Sequence, residues 1–155
     1  MVGIATVGDV RVEVDDFVAT VTLDRPPVNA ITRSTMVELR DTFRSLGDRA
    51  DVRVVVFTGA GEKAFMAGVD LKGFDTDDAE PDPPDEPGLL ARSAIEAVLD
   101  CAVPVIAAVN GPALGAGLAY VAVCDLIVAA DSATFGTTEI NVGLLGASAH
   151  LSLLL

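Results

Sequence analysis

A chain of 155 residues, 51% of them apolar, is long and hydrophobic enough to bury one core of ordinary domain size. Its formal net charge of −13 argues against binding to nucleic acid, because phosphate neutralisation needs a basic surface. The chain has no apolar run of the roughly 18 residues that cross a membrane, no basic signal-peptide region, and two cysteines that indicate neither a disulfide framework nor a metal site. We therefore expect a cytoplasmic protein with no membrane or nucleic-acid partner.

The first elements in the chain are a predicted hairpin and a predicted helix. Two runs of alternating apolar and polar residues predict antiparallel strands. They are Val10, Val12 and Val14, then Phe17, Ala19, Val21 and Leu23. Residues 32–46 carry apolar side chains at helical spacing, with Thr35 and Glu38 as the predicted capping box and Gly47 as the predicted stop.

The rest of the chain alternates apolar runs with loops. Residues 75–88 hold four prolines and seven acidic residues, a composition typical of a mobile surface loop. Strand-then-glycine patterns recur, which indicates a stacked repeat of strand, strand and helix. The apolar runs predict strands covered on both faces at 53–58, 103–109 and 125–130, a short strand at 133–135, helices at 90–101 and 116–123, and the start of a helix at 151–155.

Two glycine-containing loops are candidate binding sites. Gly115, Ala116 and Gly117 open a predicted helix, whose first N–H groups have no intrahelical acceptor and suit an anion or a developing oxyanion. Gly68 follows a predicted buried strand and exposes backbone donors in the same way. The alternative explanation is structural: close packing of a helix on a strand in the first loop, and a tight turn in the second.

Glu139 and His150 are the candidate acid–base side chains. Apolar neighbours disfavour a charged carboxyl and suit Glu139 to general acid–base catalysis, whereas the alternative is a solvated loop glutamate. His150 is the only histidine, and its apolar surroundings favour a structural role over a catalytic one.

Six motifs, in their order and approximate spacing, carry a resemblance. They are VATVTLDRP at 18–26, NAI at 29–31, KAFMAGVDL at 63–71, PVIAAVNG at 104–111, CD at 124–125 and ATFGTTE at 133–139. Together they resemble the enoyl-CoA hydratase/isomerase family, the crotonase superfamily. The resemblance implies an α/β fold, a spiral of ββα units that fills residues 1–155 as one domain, with the family's C-terminal helical part missing.

The resemblance also implies a substrate and a site. Family members bind acyl-CoA thioesters, so coenzyme A would be part of the substrate, with no separate cofactor or metal. The amides of Val69 and Ala116 would hold the thioester oxygen and stabilise an enolate, with Glu139 as the acid/base. The residues expected to bind the substrate are Ala30, Ile31, Ala67, Gly68, Asp70, Leu71, Lys72 and Gly115.

Two departures from the family pattern matter for the reaction. Ala119 stands where hydratases of the family have the first of two glutamates, so proton transfer of the isomerase type is favoured over efficient hydration. The chain is also shorter than family members, which form homotrimers or hexamers at full length and serve fatty acid metabolism. The alternative function is a non-catalytic acyl-CoA-binding fragment or pseudoenzyme.

Overall fold

The computed structural model describes residues 3–72, 82–83, 85–86 and 88–143. Its strands and helices alternate along the chain. In chain order they are β1 (Gly3–Val7), β2 (Val10–Asp15), β3 (Val18–Leu23), α1 (Arg33–Gly47), β4 (Val54–Gly59), α2 (Leu89–Leu99), β5 (Val105–Val109), β6 (Ala113–Leu114), α3 (Ala116–Ala122), β7 (Leu126–Ala129), β8 (Phe135–Gly136) and a 3-10 helix, Thr138–Val142.

Six strands form the main sheet, in the order β1-β2-β3-β4-β5-β7. The first three pair antiparallel, and β3, β4, β5 and β7 run parallel.

The predicted hairpin is confirmed as β2 and β3, although Phe17 lies in the turn and not in a strand. Asp16 and Phe17 both have positive φ, 45° and 64°, as a tight hairpin turn requires. The Arg53 guanidinium lies 4.4 Å from the centre of the Phe17 ring.

A second set of short pairings runs beside the main sheet. Ile31 forms a parallel bridge with Val69, and Met66 forms one with Ala113. Strand β6 then pairs in parallel with β8, Ala113 opposite Phe135. Successive turns of the chain therefore add a long strand to the main sheet and a short segment to this second set. The α/β fold implied by the resemblance is confirmed.

The N-cap of helix α1 lies about one turn before the predicted one. Thr32 is the N-cap: its hydroxyl accepts from the Thr35 N–H, and the Thr35 hydroxyl accepts from the Thr32 N–H. The predicted box of Thr35 and Glu38 is therefore wrong, because the Glu38 carboxylate accepts instead from the Asp9 N–H at 2.8 Å. The helix ends at Gly47, close to the predicted stop.

Four aromatic rings make the centre of the core. Phe57 on β4 meets Phe43, Phe65 and Tyr120 edge-to-face, with ring centres 5.4, 5.1 and 6.1 Å apart. All four side chains are almost fully buried. The Tyr120 hydroxyl is buried too and has no hydrogen-bond partner among the described residues. Burial without a partner raises the pKa of the Tyr120 phenol.

We expect the change Tyr120→Phe to raise the free energy of unfolding by about 1 kcal/mol, because it removes a buried hydroxyl that makes no hydrogen bond. The matched control is Thr58→Val, which removes a hydroxyl that donates to the Ala108 carbonyl at 2.8 Å. This control should lower the free energy of unfolding by about 1 kcal/mol. Urea denaturation measures both, and a Tyr120→Phe protein that unfolds at lower urea than the parent would contradict the expectation.

Strand β7 is exposed, which contradicts the prediction of a strand covered on both faces. Leu126, Ile127 and Val128 are 59%, 52% and 64% exposed. The strand is the last in the sheet order, and consecutive side chains of a strand point to opposite faces. Both faces of this edge strand are therefore open within the described part of the chain. An apolar run therefore predicts a strand but does not show that both of its faces are covered.

Most of the predicted acidic loop, 75–88, lies outside the described residues, as do His150 and the predicted helix start at 151–155. Asp82 is described, and its carboxylate accepts from the Gly88 and Leu90 N–H groups at the start of α2, at 3.0 and 2.9 Å. It also pairs with Arg33 of α1 at 3.4 Å. Burial pushes the pKa of the Asp82 carboxyl up, but these hydrogen bonds outweigh it and leave the pKa below its usual value. Asp82 thus ties the two helices together.

Candidate functional site

The two glycine-containing loops lie side by side. The Leu114 N–H donates to the Met66 carbonyl at 2.9 Å, which joins the loop after β4 to the loop after β5. A Cβ placed on Gly68 would lie 3.2 Å from the Leu114 carbonyl oxygen and 4.0 Å from the Ala116 nitrogen. Gly68 also has a φ of +101°, a conformation that favours glycine. The loops thus meet at Gly68 and the first residue of α3.

Gly117 sets how closely α3 approaches the first loop. A Cβ placed there would overlap the Met66 carbonyl oxygen and lie 2.9 Å from the Met66 Cβ. No side chain fits between this turn of the helix and the segment before Gly68. Close packing, one of the two explanations given for the glycines, therefore accounts for Gly117.

The amides of Val69 and Ala116 belong to the two facing segments. Val69 is bracketed by two hydrogen bonds at 2.9 Å, from the Ile31 N–H to the Gly68 carbonyl and from the Asp70 N–H to the Ile31 carbonyl. In the described part of the chain, neither the Val69 N–H nor the Ala116 N–H donates to an acceptor. Ala116 is the first residue of α3, where such a donor is expected.

The Glu139 carboxyl also lies beside the second loop, although Glu139 comes later in the sequence. It lies in the first turn of the 3-10 helix, Thr138–Val142, and is half-buried. Its carboxyl carbon is 3.2 Å, and its Oε1 3.6 Å, from the position that a Cβ on Gly115 would occupy. Gly115 has a φ of +54°, and its N–H donates to the Gly136 carbonyl at 2.8 Å. The carboxyl is therefore held beside the residue that precedes Ala116.

Two asparagines that the sequence analysis did not single out shape the loop after β4. The Asn29 Nδ2 donates to the carbonyls of Ala60 and Ala64 at 3.0 and 2.9 Å. The Asn110 Nδ2 donates to the carbonyls of Gly59 and Gly61, both at 2.8 Å. Both asparagines lie inside the motifs of the resemblance, which is the one signal that points to them. They fix the start of the loop that carries Val69.

The residues expected along the coenzyme A path occupy different environments. The Ile31 side chain is fully buried, and its amide and carbonyl are both used in the bridge to Val69. The Ala67 N–H donates to the Val28 carbonyl at 3.2 Å. Leu71 and Lys72 are exposed, and the Lys72 N–H donates to the Asp70 carboxylate at 3.2 Å.

The positive charges near the site differ in what they contact. Arg25 pairs with Asp9 at 3.3 Å and with Asp70 at 3.0 Å. Lys63 and Lys72 are exposed and form no ion pair with another described residue. An anionic group at this end of the sheet would therefore meet the two lysines rather than Arg25.

Other reactive groups in the described residues are few. Cys101 and Cys124 are free thiols. Burial, and to a lesser degree the charge of Asp125, raise the pKa of the Cys124 thiol to about 12, which leaves it protonated and unreactive at neutral pH. Within the described residues, no three His, Cys, Asp or Glu side chains are grouped to hold a metal ion. No described helix is long and apolar enough to cross a membrane.

Comparison with known proteins identifies the family of the chain. Residues 13–154 match the model of the enoyl-CoA hydratase/isomerase family. The chain belongs to the enoyl-CoA hydratase/isomerase family. The crystal structure of an enoyl-CoA hydratase/carnitine racemase from Magnetospirillum magneticum superimposes with a TM-score of 0.81 at 33% identity, over 90% of this chain and 53% of that one. The crystal structure of a protein from Streptomyces coelicolor, described as a putative enoyl-CoA hydratase, superimposes with a TM-score of 0.80 at 35% identity, over 96% of this chain and 55% of that one.

Two similar proteins are named for reactions of CoA compounds. The chain is 43% identical over 143 residues to the (7aS)-7a-methyl-1,5-dioxo-2,3,5,6,7,7a-hexahydro-1H-indene-carboxyl-CoA hydrolase of Rhodococcus jostii, covering 88% of this chain and 52% of the relative. It is 42% identical over 124 residues to the carnitinyl-CoA dehydratase of Citrobacter koseri, covering 80% and 46%. The chain thus spans about half the length of these relatives.

Proposed function

We propose that the protein binds an acyl-CoA thioester and moves a proton next to the thioester carbonyl. One observation carries the proposal: Gly68, which precedes Val69, lies beside Ala116, and the Glu139 carboxyl lies beside Gly115, so three separate segments come together here. Two N–H donors without an acceptor among the described residues suit a thioester oxygen, and suit it better once that oxygen carries the charge of an enolate. The family of the chain supports a CoA thioester as the ligand.

In the proposed reaction the Glu139 carboxylate accepts a proton from the carbon next to the thioester carbonyl. The electron pair of the broken C–H bond moves into the carbonyl, and the oxygen becomes an enolate held by the Val69 and Ala116 amides. With a 3-enoyl thioester the charge spreads over the double bond. Glu139 then returns the proton at the far carbon, which gives the 2-enoyl isomer. One carboxyl is enough for this transfer.

Hydration needs more than the described site offers. Adding water across a double bond requires one group to activate the water and another to deliver the proton. The buried Ala119 of α3 provides no carboxyl at the position where two-glutamate hydratases have one. We therefore propose isomerisation over hydration. The two relatives named a hydrolase and a dehydratase show that the reaction varies among similar chains.

The experiment that tests the proposal gives the protein a 3-enoyl-CoA and a 2-enoyl-CoA in separate incubations, with product analysis by chromatography. We expect conversion of the first to the 2-enoyl isomer and slow or no hydration of the second. Rapid hydration that survives the loss of Glu139 would rule the proposal out. Calorimetry with a saturated acyl-CoA, run in parallel, separates an inactive protein that still binds the thioester, the expected result for a non-catalytic fragment, from one that does not bind.

A further inference from the structure

Arg25 lies two residues after the end of β3, and its guanidinium contacts three acceptors. Nη1 donates to the Ala30 carbonyl at 2.7 Å, Nη2 lies 3.0 Å from the Asp70 carboxylate, and Nε lies 3.3 Å from the Asp9 carboxylate. The Arg25 and Asp70 side chains are each 27% exposed, so solvent screens this pair less than a fully exposed one. The planar fork of arginine suits contact with several acceptors at once, which the point charge of lysine does not match.

Two of these acceptors flank the bridge that holds the Val69 amide. Ala30 directly precedes Ile31, and Asp70 directly follows Val69. The bridge between Ile31 and Val69 is isolated and has only two backbone hydrogen bonds. Arg25 therefore contacts both segments beside the bridge between Ile31 and Val69.

The third acceptor, Asp9, connects Arg25 to helix α1. The Asp9 carboxylate also accepts from the Thr35 hydroxyl at 2.7 Å, and the Asp9 N–H donates to the Glu38 carboxylate. Both partners belong to the first two turns of α1. Arg25 thus links the flanks of the bridge to a helix, which gives the bridge a rigid support.

We infer that Arg25 is a positioning residue that fixes the direction of the Val69 amide. The inference rests on the function proposed for that amide. Arg25 already faces two carboxylates, so it serves neither as the acid/base nor as the main contact for a ligand phosphate. Without its fork, the segment 68–70 keeps two backbone bonds but loses the contacts that fix their geometry, and a misdirected donor stabilises an enolate poorly.

Amide hydrogen exchange, followed residue by residue by NMR without ligand, tests the inference independently of any activity. In Arg25→Gln we expect the Ile31 and Asp70 amides to exchange about tenfold faster or more, with a smaller change in Arg25→Lys. The Val55 amide, which donates to the Pro104 carbonyl within the main sheet, should keep its rate. The matched control is Arg11→Gln, because Arg11 pairs with Glu13 and Asp24 on the same sheet and does not contact the site loops.

Unchanged exchange at Ile31 and Asp70 in Arg25→Gln would overturn the inference. So would an equal acceleration at Val55, because it would indicate general destabilisation. This result decides the role of Arg25 even if the parent protein proves inactive, an outcome that would remove only the proposed function.

Turnover of a 3-enoyl-CoA is a second measurement, and the split between kcat and KM separates a positioning role from a purely structural one. We expect kcat to fall about 10- to 100-fold in Arg25→Gln and KM to stay within about threefold, because a donor that acts on the enolate affects the transition state more than the bound substrate. Arg25→Lys should recover part of kcat. A rise in KM that accounts for the whole loss would make Arg25 a substrate ligand and overturn the positioning role.

Discussion

The change Glu139→Gln is expected to lower the rate of proton transfer by about 10²- to 10⁴-fold, the usual contribution of a placed acid–base group. Glutamine has nearly the size of glutamate, so it fits beside Gly115, where the carboxyl carbon lies 3.2 Å from the position of a Cβ. An amide does not accept and return a proton as a carboxylate does. The affinity for a saturated acyl-CoA should stay within about threefold, a change of less than about 1 kcal/mol.

The control for Glu139 is Glu96→Gln on α2, where the side chain is exposed and lies 4.0 Å from Arg92 on the same helix. This variant should keep the full rate. Kinetics of 3-enoyl-CoA isomerisation, combined with calorimetry, measure both variants. If Glu139→Gln keeps more than a tenth of the rate, another group moves the proton, and the assignment of Glu139 is wrong.

The change Gly117→Ala is expected to lower the free energy of unfolding by about 2 kcal/mol, because the added methyl group overlaps a backbone atom in a filled space. The overlap is with the Met66 carbonyl oxygen, which also accepts from the Leu114 N–H. To relieve the overlap, α3 must move away from the segment before Val69. The Ala116 amide moves with it, so the affinity for an acyl-CoA should fall about tenfold or more.

Gly61→Ala is the control for Gly117. Gly61 has a φ of +74° with no atom within 4 Å of the added Cβ, so the change strains the backbone by about 1 kcal/mol without a collision. Its acyl-CoA affinity should equal that of the parent. Urea denaturation and calorimetry give the two quantities. A Gly117→Ala protein with parental affinity would show that the spacing between the two loops does not set the geometry of the donors.

Local patterns in the sequence predict much of the fold. The alternation in 10–23 yields β2 and β3, and the apolar runs at 53–58 and 103–109 yield β4 and β5. These strands are correct because the hydrophobic period of a strand is a local property. The cap of α1 is misplaced by one turn, since Glu38 meets Asp9, a residue 29 positions away. That contact depends on the fold and leaves no local signal.

The same limit explains what the sequence reveals of the site. Glu139 and Gly115 are brought together by the pairing of β6 with β8, which no local pattern specifies. The resemblance to the family implies that both residues belong to one site, and no local pattern does. The contacts of Arg25 with Asp9 and Asp70 join residues 16 and 45 positions apart. A single sequence shows the charges and not their pairing.

The exposed strand β7 marks the opposite case, a local pattern that is correct about the element and wrong about its surroundings. Residues 125–130 resemble the runs that form β4 and β5, which have a neighbour on each side. Strand β7 has one neighbour in the described residues, and its Leu126 and Val128 are open. Hydrophobic content identifies a strand, whereas the elements packed on its faces decide whether the strand is covered.

The most direct test of the account is exchange of the protons next to the carbonyl of a saturated substrate, butyryl-CoA, in D2O, followed by NMR. No double bond is present, so the exchange reports enolate formation alone. We expect the protein to accelerate exchange at this carbon well above the rate in buffer, and Glu139→Gln to remove the acceleration. Exchange at the buffer rate, with butyryl-CoA shown by calorimetry to be bound, would contradict the claim that Val69, Ala116 and Glu139 form a site for enolate chemistry.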